Sequence, residues 1–137
     1  MAEVLIIEDD RFNRRVYRDL LEAEGFAVRL AASAAEGIDA ARAAPPALVV
    51  MDVELPGMSG LEATRRLKGD ARTRAVPVLI ISAHAMEGAD KAATRAGADA
   101  FLCKPLRFPD FQRTVQKLIE GAAAALDGAG GLRRNVR

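Results

Sequence analysis

The sequence predicts an α/β protein with a doubly wound, five-stranded parallel sheet in the strand order 2-1-3-4-5. Five short apolar runs alternate with longer segments of helical periodicity, which is the pattern of successive βα units. The runs carry no regular polar side, as expected for strands that helices cover on both faces. Right-handed crossovers leave two common strand orders, and five strands favour 2-1-3-4-5.

The first unit begins with an apolar strand at residues 4–7, which ends at the acidic triplet Glu8-Asp9-Asp10. A helix follows, and Gly25 is well placed as the residue after its end. The helix is indicated by apolar residues that recur at helical spacing: Phe12, Val16, Leu20 and Leu21. Residues 26–30 are predicted to form the second strand.

The middle of the chain continues the alternation. Residues 34–44 are alanine-rich and helical, and Pro45-Pro46 stops that helix. Residues 47–51 form the third strand, which ends at Asp52, and a turn follows over residues 55–58. Ser59 with Glu62 three residues later predicts a capping box that opens a third helix. We expect this helix to end at about residue 68.

The last two units complete the pattern. Residues 78–81 form the fourth strand, which ends at Ser82, and the next helix closes near Gly97. Residues 100–103 form the fifth strand, which ends at Lys104-Pro105. The final helix starts at Pro109. Its apolar face is indicated by four residues at helical spacing: Phe111, Val115, Leu118 and Ala122.

Composition excludes several classes of function. The 137 residues contain 20 Lys and Arg against 19 Asp and Glu, so a domain-wide basic surface for DNA or a membrane is not expected. A single cysteine excludes a disulfide framework and a multi-cysteine zinc site. The N-terminus is too acidic for a secretory signal, and no apolar run reaches membrane-spanning length. We therefore expect a cytoplasmic protein.

The chain is short enough for one domain, which we place at residues 1–121. Residues 122–137 are rich in glycine and alanine and then basic, and we expect a flexible tail or a linker stub. Arg133, Arg134 and Arg137 cluster in that tail, where an anionic ligand such as a cyclic dinucleotide is one candidate partner.

Polar residues collect where the strands end. Glu8-Asp9, Asp52, Ser82 and Lys104 follow strands one, three, four and five, and ligands of open α/β sheets bind at this edge. Clustered carboxylates need a cation to stay ionised together, and Mg²⁺ suits an all-oxygen site. Lys104 would complete an anion site, and Ser82 could donate to an oxygen. The combination is suited to holding a phosphoryl group, and an aspartate can accept one.

These residues resemble the receiver domain of two-component response regulators, over residues 4–120 or nearly the whole chain. The resemblance implies the flavodoxin-like receiver fold and makes Asp52 the phosphoryl acceptor. It implies that Mg²⁺, or Mn²⁺, binds Asp9, Asp52 and the backbone carbonyl of Glu54, with Glu8 acting through a water molecule. Lys104 is the cationic partner of the phosphoryl group, and the Lys104–Pro105 peptide bond is expected to be cis.

The same resemblance assigns the switch. Ser82 is the switch hydroxyl and Phe101 the switch aromatic, while Glu54 and His84 modulate water access to the acyl phosphate. The partners implied are a sensor histidine kinase or histidine phosphotransferase and a downstream protein. The latter is expected to bind the face of the fourth helix, fifth strand and fifth helix. No DNA, membrane or enzymatic activity beyond phosphotransfer and self-dephosphorylation is implied, and we expect a monomer.

Three alternatives stay open at this point. Residues 8–13 and 19–26 resemble the single-domain cell-division regulators of the DivK type, which favours a stand-alone receiver. The chain could instead be the N-terminal receiver of a longer regulator, such as a diguanylate cyclase. A haloacid-dehalogenase-type phosphatase uses similar Asp, Mg²⁺, Ser and Lys chemistry, but its nucleophile follows the first strand. The acidic first loop makes a flavodoxin a poor fit.

Overall fold

The computed structural model describes residues 2–83 and 88–127, with side chains as far as residue 124. Ten elements alternate along it. They are β1 (Glu3–Ile7), α1 (Arg11–Ala23), β2 (Ala27–Ala31), α2 (Ala34–Ala43), β3 (Leu48–Asp52), α3 (Gly60–Lys68), β4 (Val78–Ser82), α4 (Ala89–Ala96), β5 (Ala100–Cys103) and α5 (Phe108–Asp127). The strands form one sheet in the order β2-β1-β3-β4-β5, and every pairing is parallel. The predicted fold class and strand order are confirmed.

Helices cover both faces of the sheet, and the alternation of side chains along each strand supplies two cores. One core joins Leu5 and Ile7 of β1 to residues of α2, α3 and α4. The other joins Val4 and Ile6 of β1 to residues of α1 and α5. Since β3 and β4 are buried on both faces, they carry no polar residue until their last positions, and the only polar residue of β1 is Glu3 at its start. Polar side chains are thereby confined to the strand ends.

The first helix packs on the sheet through most of its predicted apolar face, since Leu21 is buried and Val16 and Leu20 pack against the same core. Tyr17 and Leu21 are its buried residues, whereas Phe12, predicted on the apolar face, is 73% exposed. The helix closes in a Schellman motif, with the Phe26 amide donating to the Leu21 carbonyl and Gly25 at φ 94°. The predicted position of Gly25 after the helix end is confirmed.

The last helix is longer than expected. The sequence predicts a flexible tail or a linker stub over residues 122–137, but α5 continues through Asp127. Residues 122–125 are four consecutive alanines, and alanine has the highest intrinsic helix propensity, so the helix does not stop at Gly121. The basic cluster Arg133, Arg134 and Arg137 lies outside the described residues. Within residues 2–83 and 88–127, no helix is long and apolar enough to cross a membrane.

A close backbone approach fixes the loop after β3. The Gly60 amide, at the start of α3, donates to the Val53 carbonyl at 3.0 Å. A Cβ atom at Gly60 would overlap the backbone carbonyl oxygen of Asp52 and lie 2.9 Å from the Cα of Val53. Only glycine therefore allows α3 to begin directly against the end of β3.

We predict that Gly60→Ala lowers the free energy of unfolding by about 2–3 kcal/mol, because the added methyl group meets backbone rather than a movable side chain. Gly121→Ala is the matched control, since Gly121 lies inside α5 and a Cβ there meets nothing within 4 Å. It should raise stability by about 0.5–1 kcal/mol. Urea unfolding measures both, and equal effects of the two substitutions would contradict the close approach.

Candidate functional site

The site lies at the carboxyl-terminal edge of the sheet. Parallel register places the ends of neighbouring strands side by side, with Ile7 opposite Met51, and Asp52 opposite Ile81. Ser82 likewise pairs with Cys103, the residue before Lys104. The residues that end or follow β1, β3, β4 and β5 therefore meet at one edge, as the sequence predicts.

Asp52 is the best-held carboxylate of the site. Its side chain is 5% exposed, and each of its oxygens has a donor. Oδ1 accepts from the backbone amide of Glu54 at 2.9 Å, and Oδ2 accepts from Nζ of Lys104 at 3.0 Å. Two donors from different loops fix the plane of the carboxylate, so its orientation does not depend on solvent.

Glu8 lies beside Asp52 and is more deeply buried, with 2% of its side chain exposed. Oε2 accepts from the Asp10 amide at 3.0 Å. Oε1 has no hydrogen-bond partner among the described residues and lies 3.7 Å from Nζ of Lys104. Burial raises the pKa of Glu8 to about 7, and the neighbouring Asp52 carboxylate adds to the increase. Glu8 is therefore a buried acid with one oxygen that lacks a donor.

Lys104 supplies positive charge to both buried carboxylates. Burial alone would lower the pKa of its ammonium group, but the hydrogen bond and charge of Asp52, with the charge of Glu8, raise it instead. One ammonium group thus faces two carboxylates. The Lys104–Pro105 peptide bond, which follows this ammonium-bearing residue, is cis.

A third carboxylate belongs to Asp9, which is exposed. Carboxylate oxygens of Glu8, Asp9 and Asp52 lie within 4.8 Å of one another. This set fits a hard divalent cation, because three carboxylates exceed the single ammonium and Oε1 of Glu8 has no hydrogen-bond donor among the described residues. The donors are oxygen only, which suits Mg²⁺ or Mn²⁺ rather than a soft metal.

The loop between β1 and α1 is held by the side chains of Asp10 and Arg14. The Asp10 side chain caps α1 by accepting from the Asn13 amide at 3.0 Å. Nη1 of Arg14 donates to the backbone carbonyls of Glu8 at 2.9 Å and Asp9 at 3.2 Å. No sequence pattern reveals an arginine that binds main-chain oxygens, because these acceptors exist at every position.

Tyr17 is a second residue whose place the sequence did not reveal. Its ring packs against Phe111 of α5 with centroids 5.5 Å apart. Burial raises the pKa of Tyr17 to about 12, and Lys104, Glu8 and Asp52 all act on it electrostatically. The helical spacing from Tyr17 to Leu21 carries the signal that would have placed it inward.

The predicted switch hydroxyl forms a hydrogen bond with the predicted modulating residue. Ser82 is buried, and its Oγ donates to Oε2 of Glu54 at 2.9 Å. The next backbone amide, that of Ala83, donates to Oε1 of the same carboxylate at 3.0 Å. Glu54 therefore receives a hydroxyl and an amide from the end of β4. His84, the other predicted modulator, lies outside the described residues.

Phe101, the predicted switch aromatic, packs against one of the two cores of the sheet. It lies on the edge strand β5 opposite Ile80, is half-buried, and packs against the core formed with α2, α3 and α4. The structure thus brings together Glu8, Asp9, Asp52 and Lys104, and separately joins Glu54 to Ser82. Phe101 lies one strand beyond Ser82.

A groove of about 350 Å³ adjoins the site on the side of α1 and α5. Lys104 and Pro105 are among the residues that line it. Its rim carries two exposed aromatic side chains, Phe12, which is 73% exposed, and Phe108, which is 48% exposed. Large apolar side chains are therefore exposed directly beside the acidic cluster.

We predict that, in the absence of divalent metal, Glu8→Gln stabilises the protein increasingly as the pH rises. The folded-state pKa of about 7 exceeds the ordinary value of 4.5. The wild type therefore loses stability as the pH rises from about 4.5 to about 7, because the unfolded chain releases the Glu8 proton while the folded protein still holds it. The gain from Glu8→Gln should be near zero at pH 3.5, about 1 kcal/mol at pH 5 and about 3 kcal/mol at pH 8. Urea unfolding in EDTA measures it, and a gain independent of pH would contradict the assignment.

Comparison with known proteins agrees with this geometry. The family described as response regulator receiver domain matches residues 4–116. The polar-differentiation response regulator DivK of Brucella ovis is 38% identical over 119 residues, covering 87% of this chain and 97% of that protein. The nucleophile candidate Asp52 ends β3 rather than β1, so the alternative of a haloacid-dehalogenase-type phosphatase is set aside.

Solved structures show the same fold. A putative response regulator from Chloroflexus aurantiacus superposes with a TM-score of 0.83 at 28% identity, covering 87% of this chain and 98% of that one. The receiver domain of a sensor histidine kinase from Pseudomonas aeruginosa gives a TM-score of 0.81 at 29% identity over the same shares. That structure has a magnesium ion coordinated in its active-site cleft. Family match, relatives and fold together show that this chain belongs to the response regulator receiver domain family of two-component signalling proteins.

Proposed function

We propose that Asp52 accepts a phosphoryl group from a phosphohistidine in a step that depends on Mg²⁺, and that the phosphorylated domain then changes its protein contacts. The donor is a sensor histidine kinase or a histidine phosphotransferase. The observation that carries the proposal is the buried Asp52 carboxylate, which is bound to Lys104 and lies beside Glu8 and Asp9. The proposal concerns this domain, whether or not other domains accompany it.

The chemistry follows from how Asp52 is held. A carboxylate oxygen attacks phosphorus while the bond from phosphorus to the donor imidazole nitrogen breaks, and that nitrogen keeps the electron pair and takes up a proton. The Glu54 amide and Lys104 orient the attacking carboxylate, which reduces the entropic cost of reaching an in-line geometry. The Lys104 ammonium group also offsets the negative charge that the phosphoryl oxygens bring.

Glu8, Asp9 and Asp52 would hold the cation, together with the backbone carbonyl of Glu54. Mg²⁺ or Mn²⁺, when bound, would supply positive charge next to the phosphoryl oxygens. The magnesium ion in the similar Pseudomonas aeruginosa receiver domain supports this choice. Glu8 must be ionised to hold the cation, directly or through water. A bound cation would favour that ionised form and so lower the raised pKa of Glu8.

The groove beside the site offers a docking place for the phosphate donor. A phosphohistidine must reach Asp52, and the exposed rings of Phe12 and Phe108 lie on the adjacent surface and line the same groove as Lys104. A donor helix with an apolar face would bury both rings while it presents its histidine to the site. Continuity between groove and acceptor favours this occupant.

The output would run through Ser82. Its hydroxyl now donates to Glu54, and a phosphoryl oxygen on Asp52 would be a stronger, more highly charged acceptor for the same donor. Withdrawal of Ser82 from Glu54 would alter the end of β4 and allow Phe101 to repack on β5. A downstream protein would read the change on the face of α4, β5 and α5.

We predict that Asp52→Asn abolishes labelling of the protein by phosphoramidate, because an amide cannot form the acyl phosphate, and that EDTA abolishes labelling of the wild type. Asp10→Asn is the matched control: it removes a carboxylate from the neighbouring loop and keeps a residue that can cap α1. This control should be labelled normally. Mass spectrometry that found Asp52→Asn still phosphorylated would rule out the assignment.

We also predict that Glu54→Ala raises the affinity for beryllofluoride about fivefold, since loss of one competing hydrogen bond is worth about 1 kcal/mol. A simple charge effect would give the same gain in a Ser82→Ala background. Competition for the hydroxyl predicts a clearly smaller gain there. The proteins compared are the wild type, Glu54→Ala, Ser82→Ala and the double variant, each titrated with beryllofluoride by nuclear magnetic resonance. An equal gain in affinity from Glu54→Ala in the presence and absence of Ser82 would contradict competition for the hydroxyl.

A further inference from the structure

We propose that Arg14 is a positioning residue of the cation site: its guanidinium group fixes the backbone that carries Glu8 and Asp9, and so sets the affinity for Mg²⁺. The inference rests on the proposed function, because the cation belongs to that function. Arg14 lies on α1, and its hydrogen bonds with described residues go to backbone carbonyls rather than to the carboxylate groups.

The Arg14 guanidinium group contacts the loop through one nitrogen atom. A single nitrogen, Nη1, donates to the carbonyl oxygen of Glu8 at 2.9 Å and to that of Asp9 at 3.2 Å. These carbonyls belong to the peptide groups on either side of the Asp9 Cα. Fixing both peptide planes fixes the direction of the bond from Cα to Cβ, and therefore where the Asp9 carboxylate can reach.

Other contacts in the loop do not perform this task. The Asp10 amide holds the carboxylate of Glu8, and the Asp10 side chain caps α1. Asp9 is exposed, and its side chain makes no hydrogen bond with a described residue. The half-buried Arg14 thus provides the restraint that keeps Asp9 within 4.8 Å of Glu8 and Asp52 before any cation arrives.

A positioning role and a simple charge effect predict opposite changes in Mg²⁺ affinity when Arg14 is replaced. A guanidinium group near a cation site repels the cation, so removing the charge alone should strengthen Mg²⁺ binding. Removing the two hydrogen bonds should instead weaken binding, because Asp9 must then be ordered at the moment of binding. Loss of a residue that orients metal ligands typically weakens affinity by about 10–100-fold.

The experiment compares Mg²⁺ binding by the wild type, Arg14→Met, Arg14→Lys and Arg15→Met. Arg15 is the matched control, since it is exposed, carries the same charge one position along α1 and makes no hydrogen bond or ion pair with a described residue. Fluorescence of Tyr17 is the readout, because the chain contains one tyrosine and no tryptophan, and Tyr17 lies beside Lys104 in the groove. Isothermal calorimetry with Mg²⁺ alone gives an independent value.

We expect Arg14→Met to bind Mg²⁺ about tenfold more weakly, Arg14→Lys to be intermediate, and Arg15→Met to match the wild type. Phosphoramidate labelling of Arg14→Met should return to the wild-type rate at saturating Mg²⁺, which a general folding defect would not allow. Unchanged or tighter binding by Arg14→Met, or equal weakening in Arg15→Met, would overturn the positioning role while leaving the phosphoryl chemistry of Asp52 intact. A wild type that bound no Mg²⁺ would overturn both proposals.

Discussion

Two buried carboxylates that share one ammonium group are the constraint on which the site depends. Glu8 and Asp52 are 2% and 5% exposed, and Lys104 is the cation that lies against both. Burying such charges is costly unless each is paired and hydrogen-bonded. Asp52 is satisfied by two donors, but Glu8 retains an oxygen without one. The pKa of Glu8 rises chiefly because the carboxyl is buried, and the neighbouring Asp52 carboxylate adds to the increase.

The sheet creates this constraint, and the surrounding loops maintain it. Glu8, Asp52 and Lys104 follow or end three different strands, so they meet only because the order β2-β1-β3-β4-β5 puts the ends of β1, β3, β4 and β5 side by side. Gly60 lets α3 begin tightly against the end of β3. On the other side, Arg14 ties the loop after β1 to α1. Because these contacts keep the carboxylates close together, their excess negative charge favours the binding of a divalent cation.

Much of this arrangement could be predicted from sequence, because apolar runs of strand length that end in polar residues report both the sheet and its functional edge. The strand order and the meeting of Glu8, Asp52 and Lys104 follow from that pattern. The orientation of α1 follows from it as well, except at Phe12, which continues the helical spacing yet lies on the solvent side of the first turn, where it lines a groove instead of the core.

Three other features of the structure could not be predicted from the sequence pattern. The extension of α5 to Asp127 reflects the helix propensity of alanines that read equally well as a linker. The hydrogen bonds of Arg14 end on backbone oxygens, and the pairing of Glu54 with Ser82 joins residues from separate loops. Such contacts depend on how side chains are placed in three dimensions, which sequence spacing alone does not determine. The functional roles of Ser82, Phe101 and Glu54 remain predictions.

The most direct test of the shared ammonium is a double-mutant cycle on stability, measured by urea unfolding at pH 8 in EDTA. Lys104→Met should be destabilising, because it leaves Glu8 and Asp52 as neighbouring charges without a counterion. Adding Glu8→Gln should recover much of the loss, with a coupling energy of about 1 kcal/mol or more. Strictly additive effects would contradict the claim that one ammonium group balances both carboxylates.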